Sequence, residues 1–286
     1  MLKKQIAKTV AAGLFALAAG QASAFNLSLG GAVGNVNFEG IDWDSNGAAW
    51  VQGFQGGVGP TGGIGSQFDL YYMSKATALY DSVGNTLSFI GSIATNGTAF
   101  NTVEMTIFAK LTEEITNVGV DPVTLKPFAN FEVVSGAWDV YLDTTPDASL
   151  ASGSGFTDGT KILGGGFTAG VAGSFDNLNG TPGAVNANGT GSNALFGDVT
   201  FTDSAYVTPS PSATLASTTL QYGLSAGPSW TRPASFEGLA GYAALDTPAS
   251  FVLRADANQD FKIPEPTSMA LLGLGFAALG LRRRKA

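Results

Sequence analysis

One stretch narrows the possible folds more than any other. From Val103 to Leu111, the apolar residues Val103, Met105, Ile107, Ala109 and Leu111 alternate with Glu104, Thr106, Phe108 and Lys110. A period of two places the first set on one face of a strand and the second set on the other. Phe131 to Leu142 repeats the pattern, with Gly136 placed to bulge between Glu132-Val133 and Trp138-Asp139-Val140. Further strands are predicted at Asn35 to Phe38, Phe68 to Met73, Leu87 to Ile93, Val199 to Thr202, Thr214 to Tyr222 and Phe251 to Arg254. Asn-Gly pairs at 46–47, 96–97, 179–180 and 188–189 are turn signals. Short strands between frequent turns, with no helical pattern outside the two ends, predict an all-β fold. The expected form is a single antiparallel β-sandwich, jelly-roll-like, with Gly-rich loops. A β-solenoid is the alternative.

Two stretches read as loops. Gly53 to Gly65 contains the paired hexads Gly56 to Thr61 and Gly62 to Gln67, which lack the Asp that a calcium-binding glycine-rich repeat carries at its sixth position. Gly153 to Gly191 is rich in Gly, Asn, Ser and Thr, with isolated apolar residues such as Ile162, Phe167, Val171 and Phe175.

The ends of the chain follow other rules. Lys3, Lys4 and Lys8 precede the apolar run Val10 to Ala19, and Ala22-Ser23-Ala24 offers a small-x-small cleavage pattern. Residues 1–24 therefore read as a signal peptide read by the Sec export machinery, with Ala22 and Ala24 forming the signal peptidase site. At the other end, Pro264-Glu265-Pro266 is stiff and extended, because each Pro fixes φ and disfavours helix before it. Thr267 to Leu281 is uncharged and apolar, and Arg282-Arg283-Arg284-Lys285 follows. Fifteen helical residues reach roughly 22 Å, short of about 30 Å of bilayer hydrocarbon, but long basic side chains can snorkel across part of the difference. The run has no polar stripe, and a basic cluster favours the cytoplasmic side. The expected organisation is a signal helix at 1–24, an exported β-sandwich domain at 25–263, and a sorting tail with a transmembrane helix at 264–286. The precursor is expected to rest in the inner membrane.

The exported body carries 21 acidic and seven basic side chains, a formal charge of −14 against −8 for the whole chain. Such a body repels phosphate backbones, which argues against nucleic acid as a partner. The chain has no Cys and no His. Ser-His-Asp and Cys-His catalysis and the usual zinc ligand sets are thereby excluded, and disulfides cannot staple the fold. Carboxylate chemistry, Ser-Lys chemistry and oxygen-ligated calcium remain, although no Ser-x-x-Lys tetrad occurs.

Asp42-Trp43-Asp44-Ser45-Asn46-Gly47 places oxygen ligands at positions 1, 3 and 5 before a Gly, as the opening of an EF-hand loop does. Position 12 is Gly53 instead of Glu, and no helices flank the segment, so an Asx-turn competes with calcium held by Asp42, Asp44 and Asn46. Asp256-Ala257-Asn258-Gln259-Asp260 has the same spacing without the Gly. Glu39, Glu104, Glu132 and Glu237 are available to a glycosidase, but nothing selects a pair. Glu113-Glu114 reads as a solvated strand end. Trp138 reads as core. Trp230, in Gly227-Pro228-Ser229-Trp230-Thr231, reads as a loop residue able to stack on a sugar ring.

The tail resembles the PEP-CTERM sorting signal of Gram-negative bacteria. The resemblance rests on Pro264-Glu265-Pro266, on Ser268 to Phe276 and on Arg282-Arg283-Arg284-Lys285. It implies an exosortase as partner, cutting near Pro264, Glu265 and Pro266 and releasing or transferring the exported part, in company with extracellular polysaccharide. Leu253-Arg254-Ala255-Asp256-Ala257-Asn258-Gln259-Asp260-Phe261 is similar to the segment that precedes this tail in flocculation-associated PEP-CTERM proteins. The function so implied is non-enzymatic. It is that of a secreted or cell-surface matrix protein associated with exopolysaccharide, supporting flocculation or biofilm formation. The alternatives are a secreted polysaccharide-active enzyme using paired carboxylates and a carbohydrate-binding module.

Overall fold

The computed structural model describes residues 25–28, 35–54, 63–81, 84–89, 103–123, 125, 127–150, 154–177, 189–208, 215–223 and 251–261. The predicted signal peptide at 1–24, the predicted sorting tail at 264–286, Trp230 and most of the glycine hexads lie outside them. The described residues form strands and no helix. In chain order these are β1 (Phe25–Ser28), β2 (Asn35–Phe38), β3 (Gly40–Trp43), β4 (Gly47–Gln52), β5 (Gln67–Tyr80), β6 (Thr86–Phe89) and β7 (Glu104–Val120). They continue as β8 (Pro127–Asp143), β9 (Thr160–Phe167), β10 (Ala172–Asn177), β11 (Gly189–Thr202), β12 (Val207–Thr208), β13 (Leu215–Gly223) and β14 (Phe251–Phe261).

Every ladder is antiparallel, and the larger set closes on itself. β5 pairs β7, and β7 pairs β8 along nearly their whole lengths. One half of β8 pairs β10 and the other half pairs β9, and both of these pair β11. β11 leads through β13 to β14. β14 returns to β5 through β3 at one end and β4 at the other. If β3 and β4 count as one place in the ring, and β9 and β10 as another, there are eight strand positions. The all-β antiparallel class is as expected. Two separate facing sheets, the arrangement of a sandwich, are not what the ladders trace. A closed ring leaves no long unpaired edge, and eight strands enclose an interior that side chains can fill.

The alternation read at Val103 to Leu111 sets the inside. Met105, Ile107, Ala109 and Leu111 of β7 are buried, and so are Phe131, Val133, Trp138, Val140 and Leu142 of β8. Across the ladder Ile107 faces Val140 and Ala109 faces Trp138, so one face of both strands is committed to the core. The bulge in β8 falls at Val134, where the register shifts between Thr112 and Glu113. Gly136, two residues on, is needed for a close approach instead: a methyl there would sit 2.7 Å from the Lys110 carbonyl oxygen.

The glycine-rich region 153–191 corrects the loop reading, because it contains β9, β10 and the start of β11. Its glycines make room for neighbours. At Gly165 a Cβ would collide with the Asp198 carbonyl oxygen and lie 2.8 Å from the Trp138 ring. At Gly173 it would collide with the Asn193 side chain and the Phe131 ring.

Two further layers complete the core. The three-stranded sheet β12-β1-β2 brings Phe25 and Phe38 against Phe261, with ring centroids 5.8 and 6.0 Å apart. On the outer wall, the segment after β8 folds back so that Ala148 and Phe156 cover Ala48, Trp50, Tyr71 and Met73. Thr106 Oγ1 donates to the Phe156 carbonyl at 2.7 Å, and Lys75 Nζ donates to the Ala148 carbonyl at 3.2 Å.

Candidate functional site

Three groups of polar side chains stand out among the described residues. The first is the predicted calcium segment. Asp42 ends up on β3, and Asp44 to Gly47 turns the chain into β4. Asp44 Oδ1 accepts from Asn46 N and from Asn46 Nδ2, each at 2.9 Å, and Gly47 N donates to the Asp44 carbonyl at 2.8 Å. Thr77 Oγ1 donates to Asp42 Oδ2 at 3.2 Å, and Arg254 Nε donates to the Ser45 carbonyl at 2.8 Å. This is Asx-turn geometry, in which Asn46 serves as a donor to Asp44. β14 runs beside β3 and brings in Asp256. Burial pushes the Asp256 carboxyl up, and the negative charge of Asp42 adds to the shift. The two acidic segments singled out in the sequence thus meet on one wall.

The second group was not legible as a local motif. Glu104, Asp143 and Asp147 bring carboxylate oxygens within 4.8 Å of one another. Glu104 and Asp143 lie 39 residues apart and meet because β7 and β8 pair them directly. Glu104 is buried, and its Oε1 accepts from Asp147 N at 2.8 Å and from Ala148 N at 2.9 Å. Asp143 Oδ1 accepts from Thr145 N at 2.8 Å. These bonds tie the segment that carries Ala148 and Phe156 to the barrel wall, so Glu104 acts as a clamp. Knowing the β7–β8 register in advance would have revealed the pair.

The third group lies inside the ring and corrects the reading of Glu113-Glu114 as a solvated strand end. Glu114 is half-buried, and Gln67 Nε2 donates to its Oε2 at 3.3 Å. Glu113 is fully buried, because the inner face of β7 continues from Leu111 through Glu113 to Ile115. Asn193 of β11 donates its Nδ2 to Glu113 Oε1, while Glu113 Oε2 has no hydrogen-bond partner. Around it stand Val51, Phe54, Phe68, Leu70, Phe131, Phe175 and Leu253. The space left is about 10 Å³, no more than one water needs. Burial pushes the Glu113 carboxyl up to about 8, and the Asn193 hydrogen bond offsets part of that shift. At neutral pH the group is a neutral acid.

The described tryptophans Trp43, Trp50 and Trp138 are all buried, so none presents a flat face to a sugar. The four described basic side chains are each engaged. Lys75 and Arg254 bond the carbonyls given above, Lys110 Nζ lies 3.1 Å from Asp69, and Lys161 Nζ lies 2.5 Å from Asp139. No helix among the described residues is long and apolar enough to cross a membrane.

The processing residues Pro264, Glu265, Pro266, Arg282, Arg283 and Arg284, the Ala22 and Ala24 pair, and Trp230 lie outside the described residues. No curated protein and no solved structure matches this chain. The family model described as the PEP-CTERM protein-sorting motif matches residues 262–285, which cover the Pro-Glu-Pro tripeptide, the apolar run and the basic cluster. The chain carries a PEP-CTERM sorting motif, which marks it as exosortase-targeted and destined for the cell surface or the outside of the cell.

Proposed function

We propose that this protein is a non-enzymatic component of the cell surface or extracellular matrix, associated with exopolysaccharide and supporting flocculation or biofilm formation. The Sec machinery exports it by residues 1–24. Its tail holds it in the inner membrane until an exosortase acts at Pro264, Glu265 and Pro266. The observation that carries the reading is the sorting motif at 262–285, joined to an antiparallel barrel whose described inward side chains are largely apolar and buried. A closed eight-position ring is suited to act as a scaffold, and two of its buried carboxylates are taken up by structural contacts. Glu104 clamps a covering segment and Glu113 is buried beside Asn193. The tryptophans that a carbohydrate-binding module would display are core residues where they are described. The excess of acidic over basic side chains, with the described basic groups already engaged, disfavours nucleic acid and anionic glycans.

The test is genetic. Deletion of the coding sequence should reduce flocculation or biofilm mass, and the full-length chain supplied in trans should restore both. A deletion strain that settles and adheres like its parent contradicts the proposal. So does purified protein that cleaves the matrix polysaccharide, an outcome that favours an enzyme.

A further inference from the structure

Glu113 sits at the end of the ring where β4 stops and β5 and β14 begin. Four phenylalanines close in around it. Ring centroids are 5.2 Å apart for Phe54 and Phe68, 6.2 Å for Phe54 and Phe175, and 5.5 Å for Phe68 and Phe131. Of the residues that line the cavity beside Glu113, Phe54 alone lies outside a strand. It follows Gly53, whose φ of 79° lies in the left-handed region. Phe175 and Phe54 are also the most exposed of the lining residues, at 8 % and 6 %. Phe175 is held on both sides, by the ladders of β10 with β8 and β11. Val51 is likewise held between β14 and β5. Phe54 is thus the one part of this wall that can move without breaking a ladder.

The closed arrangement suits one protonation state only. Glu113 Oε1 accepts from Asn193, and Oε2 has no hydrogen-bond partner. The space beside it is about 10 Å³, room for no more than one water. A neutral acid tolerates such a site, whereas a carboxylate needs several waters or donors around it. No charge inside the ring relieves this. The residues facing Glu113 are Val51 of β4, Phe68 of β5, Phe131 of β8, Phe175 of β10, Asn193 of β11 and Leu253 of β14. The charged side chains nearest along the same strands, Asp69, Glu114, Glu132, Asp176, Asp198 and Arg254, take the alternate, outward positions.

We propose that Phe54 is a proton-operated gate: its ring closes over Glu113 while the acid holds its proton, and loss of that proton swings the ring out about Gly53 so that water reaches the carboxylate. The proton passes to the surrounding buffer base, and no other covalent bond changes. Burial pushes the Glu113 carboxyl up to about 8, so the gate opens in mildly alkaline medium and stays closed below it. The open form presents the apolar end of the barrel interior to that medium. The sorting motif directs the chain outside the cytoplasm, where the medium sets the pH.

The chain has no Cys, so a single introduced thiol reports access to the cavity. Val51→Cys in the full chain is treated with a methanethiosulfonate at about pH 6 and about pH 9.5, with and without Glu113→Gln. Each rate is divided by that of Thr144→Cys, an exposed position, at the same pH. At the higher pH the chain that keeps Glu113 should label about ten-fold faster or more than the chain carrying Glu113→Gln. At the lower pH both should label slowly and alike. Adding Phe54→Ala to Val51→Cys should give fast labelling at both values. Leu253→Cys, from β14, lines the same cavity and should repeat the pattern, so the test does not depend on one variant folding. Equal rates with Glu113 and with Glu113→Gln at the higher pH overturn the proposal. Slow labelling at the lower pH once Phe54→Ala is added overturns Phe54 as the gate. Loss of the near-ultraviolet circular dichroism of the buried tryptophans over the same pH interval also overturns it, because the whole barrel would then be unfolding.

Discussion

Glu113→Gln is the most informative single substitution in the barrel. The side chain is fully buried, and its carboxyl is pushed up to about 8 from an ordinary value of 4.5. In the unfolded chain the proton leaves near pH 4.5, whereas in the folded chain it stays until about pH 8. Between those values the native state binds the extra proton, so stability must fall as pH rises. The contribution is fully present below pH 4.5, and its loss is complete above pH 8. At about 1.36 kcal/mol per pH unit, this one group should remove roughly 3 kcal/mol by pH 7 and roughly 5 kcal/mol above pH 8. Gln keeps the oxygen that accepts from Asn193 and carries no charge at any of these values. Other carboxyls titrate in both proteins, so the difference between variant and wild type isolates Glu113. Urea unfolding at intervals from pH 4 to 9 should show Glu113→Gln gaining on wild type by about 1.4 kcal/mol per unit between pH 5 and 8. Parallel stability curves for the two proteins would refute the reasoning, and Glu113 would then be ionised and solvated.

Three further outcomes follow from particular contacts. Gly165→Ala places a methyl against the Asp198 carbonyl and the Trp138 ring and should cost about 3 kcal/mol or more in urea unfolding, since backbone cannot yield as a side-chain tip can. Glu104→Ala leaves the Asp147 and Ala148 N–H groups without their acceptor. It should cost roughly 3 kcal/mol and speed proteolytic nicking near Leu150, read by limited proteolysis and mass spectrometry. Because Asp44 Oδ1 is already engaged by Asn46, the wild-type melting temperature should be the same with calcium and with chelator. A calcium-dependent rise that Asp44→Ala abolishes would establish Asp42, Asp44 and Asn46 as a metal site.

The strands that alternate in sequence are those that form the inside of the ring, and Trp138 is read correctly because it sits in phase with Val140 and Leu142. Glu113 sits in phase as well, yet two successive acids suggest water. Its partner Asn193 is 80 residues away, where no local pattern reaches it. Glycine misleads for the same reason. Around Gly165 and Gly173 it reads as loop composition, but each glycine gives space to a ring or side chain from a distant strand. Ring closure has no local signature either. It depends on β3 and β4, and on β9 and β10, sharing places end to end. The sorting tail is the reverse case. Its tripeptide, apolar run and basic cluster are contiguous and act through composition and order, so they are readable without any fold.

The central claim is that this chain is sorted by its tail, and one measurement addresses it directly. Pro264, Glu265 and Pro266 are replaced together by Ala, and wild type and triple variant are fractionated and immunoblotted. The prolines keep the chain extended ahead of the apolar run, as a protease cleft requires, whereas alanines let helix propagate toward Ile263. Ala22 and Ala24 are unaltered, so export should proceed. The account predicts that wild type is released from the inner membrane while the variant accumulates there as a heavier form that has lost its signal peptide. Equal release of both proteins would contradict it.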